Sequence, residues 1–443
     1  MNFDQTLPEG WYWSTLDEVR APGRSVVSGP FGSNIGSRFF VETGIPVIRG
    51  SNLTTQMDRF KELEFVFLTP EKAAEFSSCE AIADDLIFTA AGTIGQVGLI
   101  PKNSKYPKYI ISNKQLRARL DTIKIDPEFA YYWFASPVMV QTIQNRNTGS
   151  TIPLINLSVL KSLPIPVPPL SEQKEIASYL CACDLLIEVL RETNNTLESI
   201  AQTIFKSWFV DFDPVHAKAK GIAPEGMDEA TAALFPDSFE ETELGMVPKG
   251  WKTSTVNEVF KLIMGQSPPG DTYNSDGQGL AFYQGRTDFG FRFPAKRIWC
   301  NAPTRIAEDG DTLVSVRAPV GDVNMAIEKC CIGRGVAAVR HPNGFRGFTF
   351  YSVRNLAGKF KTFDSEGTVF GSINKKDFQS LPITDPSPSV LSAFNEISSS
   401  FDDRIVINEL KIRNLSSLRD TLLPRLISGQ LRIEEAQEMV ESV

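Results

Sequence analysis

Two stretches of the chain carry mostly apolar residues at spacings that alternate between four and three. The first runs through Ile176, Leu180, Cys183, Ile187, Leu190, Asn194, Leu197, Ala201, Ile204 and Trp208, and the second through Phe394, Ser398, Phe401, Ile405, Asn408, Ile412, Leu415, Arg419, Leu422 and Leu426. A mean spacing of about 3.5 residues keeps one seam along a supercoiled helix, so the pattern predicts two long helices. The seam is expected at Ile187, Leu190, Asn194, Leu197 and Ile204 in the first and at Ile405, Asn408, Ile412, Leu415 and Leu422 in the second. A seam asparagine sets register at some cost in stability, and each helix carries one. Two matched seams predict that the helices pair with each other. With a folded domain between them, an antiparallel coiled coil in a pseudo-twofold arrangement is easiest to connect.

The seams belong to a repeat of the whole chain. Pro8-Glu9-Gly10-Trp11, with Leu16, Glu18 and Val19 after it, returns as Pro248-Lys249-Gly250-Trp251 with Val256, Glu258 and Val259. Asp85-Leu86-Ile87 returns as Asp311-Thr312-Leu313, and Gly149, Ile155-Asn156 and Leu163-Pro164-Ile165 return as Gly367, Ile373-Asn374 and Leu381-Pro382-Ile383. The offset changes through the first part of each copy and is constant from Gly149 onward. Loops tolerate length change and a registered helix does not, so each copy is a variable domain followed by a helix.

Within the variable parts, short apolar runs such as 45–48, 86–89, 94–100 and 313–316 are bounded by Gly, Asn, Pro and Asp, which marks strands. An aromatic-rich segment, 127–144, marks a packed helix. The expected fold class is α+β, a tandem duplication of a β-rich domain followed by a long helix. The expected boundaries are 1–168 for the first domain, 169–212 for the central helix, 213–246 for a linker with one short helix at 228–234, 247–386 for the second domain and 387–436 for the C-terminal helix.

Composition narrows the chemistry. The chain has 443 residues, 45 Lys and Arg against 53 Asp and Glu, six cysteines and two histidines. No CxxC pair, phosphate loop, HExxH or nucleophile elbow occurs, which argues against a metal site, a nucleotide site and a catalytic residue of its own. The amino terminus does not read as a secretory leader and no long apolar run occurs, so a cytoplasmic protein without a membrane partner is expected. The net charge of −8 disfavours indiscriminate nucleic-acid coating, but it hides segregation. Lys102, Lys105, Lys108, Lys114, Arg117 and Arg119 fall in an acid-free run, and residues 244–386 hold eighteen Lys or Arg against thirteen Asp or Glu. Cations neutralise phosphates, and Arg, Asn, Gln and Ser read base edges, so double-stranded DNA is the expected partner.

The candidates for DNA contact are Ser33, Arg49, Ser51, Asn52, Lys114, Gln115 and Arg117 in the first domain. In the second they are Gln266, Ser267, Gln284, Arg286, Thr287, Arg317 and Arg334. Asn147, Ser150, Asn156 and Asn374 either touch phosphate or cap turns. Two other readings remain open: a free-standing scaffold whose helices recruit a protein without DNA, and a methyltransferase fused to its own reader, which the missing Asn-Pro-Pro-Tyr/Phe motif disfavours.

The paired Pro-x-Gly-Trp motifs, the run Leu163-Pro164-Ile165-Pro166-Val167-Pro168-Pro169-Leu170-Ser171-Glu172-Gln173-Lys174, and Phe205-Lys206-Ser207-Trp208-Phe209-Val210-Asp211-Phe212-Asp213-Pro214 resemble the DNA specificity subunit of type I restriction-modification systems. The resemblance covers essentially the whole chain. It implies two target recognition domains reading a split DNA sequence, held apart by helices acting as a ruler. It also implies docking of two methylation subunits and, through them, of motor-nuclease subunits. S-adenosylmethionine, ATP and Mg are expected on those partners, with no cofactor on this chain. The second copy departs from the first by lacking Glu-Gln-Lys after its prolines.

Overall fold

The repeated Pro-x-Gly-Trp segments fold as the same turn in the computed structural model, which describes residues 7–55, 57–243, 245–317, 319–365, 371–433 and 435. Gly10 and Gly250 take φ of +84° and +82°. The Trp11 amide donates to the Pro8 carbonyl at 3.1 Å, and the Trp251 amide to that of Pro248 at 3.0 Å. A turn with positive φ at its third residue selects glycine there, which is why both copies carry it. The strand that follows pairs antiparallel with the last strand of the same domain: Tyr12–Thr15 with Pro164–Val167, and Lys252–Thr255 with Pro382–Asp385. Each domain thereby closes its beginning onto its end, at the point where a long helix leaves.

Those helices are Leu170–Phe209 and Pro388–Ile427, each of 40 residues. The chain divides into two compact units, and both helices contribute to both. The first unit holds the described residues up to Glu188 together with those from Arg413, and the second holds Val189–Ile412.

In the first unit the strands Val26–Ser28, Gln115–Ala118, Leu86–Thr89 and Val97–Leu99 form an antiparallel sheet in that order. A second sheet has the order Val66–Leu68, Ile45–Ile48, Tyr109–Ile111 and Glu80–Ala81, with its middle pair parallel. Val27, Val47, Ile48, Ile87 and Ile110 are buried together in one core of this unit. The helix Pro127–Ala135 and the long-helix residues Ile176, Leu180, Leu422 and Leu426 share another with Leu86 and Leu116. Here the long helices run antiparallel, with Arg419 on Asp184 at 2.7 Å and Arg432 on Glu172 at 2.9 Å.

The second unit repeats the plan. The sheet Lys261–Met264, Val336–Arg340, Thr312–Val316, Val320–Met325 matches the first unit's antiparallel sheet. A five-stranded sheet contains the corresponding parallel pair, Leu280–Tyr283 with Cys330–Ile332. The repeated aspartates do the same work in both: Asp85 accepts from the Ile82 amide at 2.9 Å and pairs with Arg119 at 2.7 Å, and Asp311 accepts from the Glu308 amide at 2.8 Å and pairs with Arg340.

Within the second unit the long helices again run antiparallel. Asn408 Nδ2 donates to Asn194 Oδ1 at 2.8 Å, and Asn194 Nδ2 to Glu409 at 2.9 Å. Of the expected seam, Ile187, Leu190, Asn194, Ile405, Asn408, Ile412 and Leu422 are buried, while Leu197, Ile204 and Leu415 are half-buried. On the first helix Glu198 and Phe205 are buried in place of Leu197 and Ile204. The helix Arg346–Asn355 of the second domain covers that side as well, and Phe205 packs against its Phe348 and Tyr351.

Two further differences have physical causes. The segment 213–246, read as a linker, contains the expected helix as Glu229–Ala233, capped by Asp228, but also Asp213–Ala219 and the hairpin Phe239–Thr242 with Gly245–Pro248. Its Val215 and Phe235 are buried in the core around Trp251, because isolated apolar residues among Pro and Gly can pack without any period. Gln173, absent from the second copy, is an internal clip: it is fully buried, accepts from the Asp126 amide at 2.7 Å and donates to the carbonyls of Lys124 and Pro168. Leu391 stands at the matching place and is buried as an apolar core residue. Among the described residues, no helix is long and apolar enough to cross a membrane.

Candidate nucleic-acid interface

In each of the duplicated domains the loops at one rim of the two sheets are pulled together by their backbones. In the first, the Gly29 amide donates to the Gln115 carbonyl at 3.0 Å, Ser112 N to Ile48 O at 2.9 Å, and Ala90 N to Lys114 O at 2.7 Å. A Cβ on Gly29 would lie 1.8 Å from the Ser112 carbonyl oxygen, so this crossing admits only glycine. The loops enclose a cleft of about 710 Å³ whose lining includes Arg49, Ser51, Gln96, Asn113, Lys114 and Gln115.

Ser51 and Lys114 are exposed at its mouth, and Ser33 is exposed on the turn Gly32–Ile35, beside Phe31, which is 89% exposed. Arg49 is half-buried, with one guanidinium nitrogen on the Glu64 carbonyl at 3.1 Å, while its Nε and the amide nitrogen of Gln115 lack hydrogen-bond partners among the described residues. Unpaired buried donors are uncommon, and here both belong to side chains that line a cleft.

Two of the sequence candidates face inward instead. Asn52 is fully buried, accepts from the Arg49 amide at 2.9 Å and donates to the carbonyls of Lys61 and Leu63, shaping the turn from behind. Arg117 is 4% exposed and donates to the carbonyls of Glu80 and Arg24, each at 2.9 Å. Burial desolvates this guanidinium and lowers its pKa from the usual value, against the pull of Asp85. Neither side chain reaches the surface. The basic run also does not form one patch. Lys102, Lys105 and Lys108 precede the strand Tyr109–Ile111 and lie at its far end from Lys114, and Lys108 pairs with Glu80 at 3.1 Å.

In the second domain the same crossing is made by Gly265, where a Cβ would lie 2.2 Å from the Gly333 carbonyl oxygen. Gln266 N donates to Ile332 O at 3.0 Å, Gly333 N to Tyr283 O at 2.8 Å, and Val316 N to Gly335 O at 2.9 Å. These bonds gather all seven candidates at one rim. Gln266, Gln284, Arg286, Thr287, Arg317 and Arg334 are exposed and Ser267 is half-buried. Arg286 is ion-paired with Asp322, and Asp288 accepts from the Gln284 amide, which holds the turn Arg286–Asp288. Arg317 and Arg334 have no ion pair among the described residues. Asn147, Asn156 and Asn374 cap local turns, with Asn156 accepting from Val159 N at 2.9 Å and Asn374 from Asp377 N at 3.0 Å, and Ser150 is exposed.

Two similar rims of polar and cationic loops, each on a duplicated domain, bear on a family comparison. The family described as "Type I restriction modification DNA specificity domain" matches residues 38–199 and again 248–415. The chain belongs to the specificity (S) subunits of type I restriction-modification systems. A Methanocaldococcus jannaschii protein named for the specificity subunit of the type I restriction enzyme MjaX is 28% identical over 447 residues, spanning 98% of this chain and 97% of its own. The HindI specificity subunit of Haemophilus influenzae is 24% identical, over 75% of this chain and 84% of its own. The crystal structure of a type I S subunit from M. genitalium shares the fold, with a TM-score of 0.60 and 18% identity over 96% of this chain and 98% of that one. As an S subunit, the protein binds DNA, carries two recognition domains and assembles with other restriction-modification subunits. The cleft residue Gln96 escaped the sequence reading, because it is one polar residue in a short connector and only the backbone crossings bring it to the others.

Proposed function

We propose that this S subunit reads a two-part DNA target, one part at each recognition rim, and that the long helices set the spacing between the parts. The observation that carries the reading is that each helix is a single unbroken element of 40 residues, about 60 Å long, with its two ends built into different units. Two reading surfaces at fixed separation make the second contact intramolecular and reject wrongly spaced sites. In this reading the subunit makes and breaks no bond itself. It docks two methylation subunits, which carry S-adenosylmethionine and modify adenine, and motor-nuclease subunits using ATP and Mg join through them, all in the cytoplasm.

Within each rim, phosphate contacts fall to exposed cations such as Lys114, Arg317 and Arg334, and base edges to Arg49, Gln284 and Arg286. The test is insertion of four residues beside Asn194. Four residues are close to one helical turn, so the seam still faces its partner, and the added rise of about 6 Å corresponds to one to two base pairs. Mapping modified sites should return both half-sequences unchanged with the spacer longer by that amount. An unchanged spacer would overturn the ruler.

A further inference from the structure

One arginine in each recognition domain leaves the reading rim and enters the long helices. Arg292 follows the turn Arg286–Asp288 and is 1% exposed. Its guanidinium donates to Glu198 of the first long helix at 2.8 Å, to the Tyr351 hydroxyl at 3.3 Å and to Asp402 of the second long helix, and it stacks 3.4 Å from the centre of the Phe350 ring. Arg354 closes on Glu198 from the other side. In the first domain Arg59 follows the turn Gly50–Asn52. It donates to Glu128 at 2.8 Å and to the Tyr132 hydroxyl at 3.1 Å, and lies 2.6 Å from Cys181 Sγ of the first long helix. Tyr132 passes the connection to Asp184 at 2.6 Å, and Arg419 of the second long helix holds the other oxygen of that carboxylate.

The two arginines occupy one position of the repeated fold. The Arg59 carbonyl accepts from Leu99 N at 3.0 Å and that of Arg292 from Met325 N at 2.9 Å, and Leu99 and Met325 are matching residues of matching strands. Each is also tied to its reading turn. Asn52 bonds both ways with Lys61, two residues beyond Arg59. Asp288 O accepts from Ala295 N, and Asn324 clamps Gly290 through its amide and carbonyl. The reading turn and the arginine are therefore hydrogen-bonded into one connected segment.

The Arg292 cluster is buried and the Arg59 site is half-buried. Such ion pairs add little net stability over apolar packing, but they demand strict geometry, because a forked guanidinium satisfies its partners in few orientations. We propose that Arg59 and Arg292 are positioning residues that lock each reading turn to the helices, so that discrimination in each half-site depends on its own arginine. The proposal rests on the two-part target, which the modification map of the unaltered complex tests separately.

The experiment compares Arg292→Met and Arg59→Met in the full chain assembled with its methylation partner, scoring modification of sites carrying one mismatch in either half. Arg292→Met should lower discrimination in the second domain's half by about tenfold and leave the other half unchanged, and Arg59→Met should do the reverse. Loss of folded protein scales both halves together, so the ratio within one complex is insensitive to it. Unaltered discrimination, or equal loss in both halves, would overturn the proposal. A wild-type map lacking a two-part site would instead overturn the reading beneath it.

Discussion

The asparagine pair on the long helices has an asymmetry that can be measured. Asn194 is 1% exposed and Asn408 fully buried, and one hydrogen bond of 2.8 Å, from Asn408 Nδ2 to Asn194 Oδ1, joins them. Asn194 also donates to Glu409, whereas Asn408 Oδ1 has no hydrogen-bond partner among the described residues. Asn194→Leu therefore leaves Asn408 with neither amide group paired and takes a partner from Glu409, for an expected loss of about 2–3 kcal/mol. Asn408→Leu strands only the Asn194 oxygen and removes an oxygen that was already unpaired, so its loss should be about 1 kcal/mol. Replacing both with leucine removes both stranded asparagine amides and leaves only the half-buried Glu409 carboxylate to turn to water, so it should be close to neutral or stabilising. The assay is chemical denaturation of the full chain followed by the helix signal in circular dichroism. If the double variant were the least stable of the three, or Asn408→Leu cost more than Asn194→Leu, the pair would be a net source of stability and the accounting would be wrong.

Two other outcomes follow from the recognition domains. Burial among Phe260, Phe345 and Phe348 holds the His341 imidazole below its usual pKa, with Asp385 opposing, and its Nδ1 accepts from Asn343 N at 3.1 Å. A depressed folded pKa means that stability is full above the unfolded value of about 6.5 and falls as the pH drops below it, where the unfolded chain takes up a proton that the folded one resists. The melting temperature should therefore fall more between pH 7.5 and 5.5 for the wild type than for His341→Gln, and equal falls would remove His341 from the account. Gly29→Ala drives a Cβ into the Ser112 carbonyl, whereas at Gly36 a Cβ would meet only ordinary contact at 3.5 Å. DNA binding by the first variant should weaken at least about tenfold with the helices intact, while Gly36→Ala stays near wild type, and retained binding by Gly29→Ala would show that the crossing does not shape the cleft.

Much of the architecture was legible because periodicity is a property of the chain. The four–three spacing named both long helices, and the changing offset of the repeat separated variable domains from registered helices. Residue type also marked Arg49 and Lys114 at the cleft. The same reasoning named Arg117 and not Arg119 as a DNA contact, the reverse of their exposure. One is buried with its guanidinium on two backbone carbonyls and the other pairs with Asp85 at a half-buried site. The strand Gln115–Ala118 is buried on both faces, and alternation carries no information there. The run of cations from Lys102 to Arg119 misled for a related reason: three strand residues, Tyr109–Ile111, put its two ends at opposite rims.

By itself, the sequence determined a duplicated chain, two seamed helices, turns that require glycine and a polar, cationic character in both recognition domains. These depend only on neighbours a few residues apart or on a repeated pattern. Tertiary structure alone decided that Asn194 meets Asn408, that Gln173 and Leu391 do the same packing by different chemistry, and that Arg59 and Arg292 leave the reading rim for the helices. Those contacts join residues far apart in the chain, and their existence depends on strand register and helix direction, which local propensity does not encode.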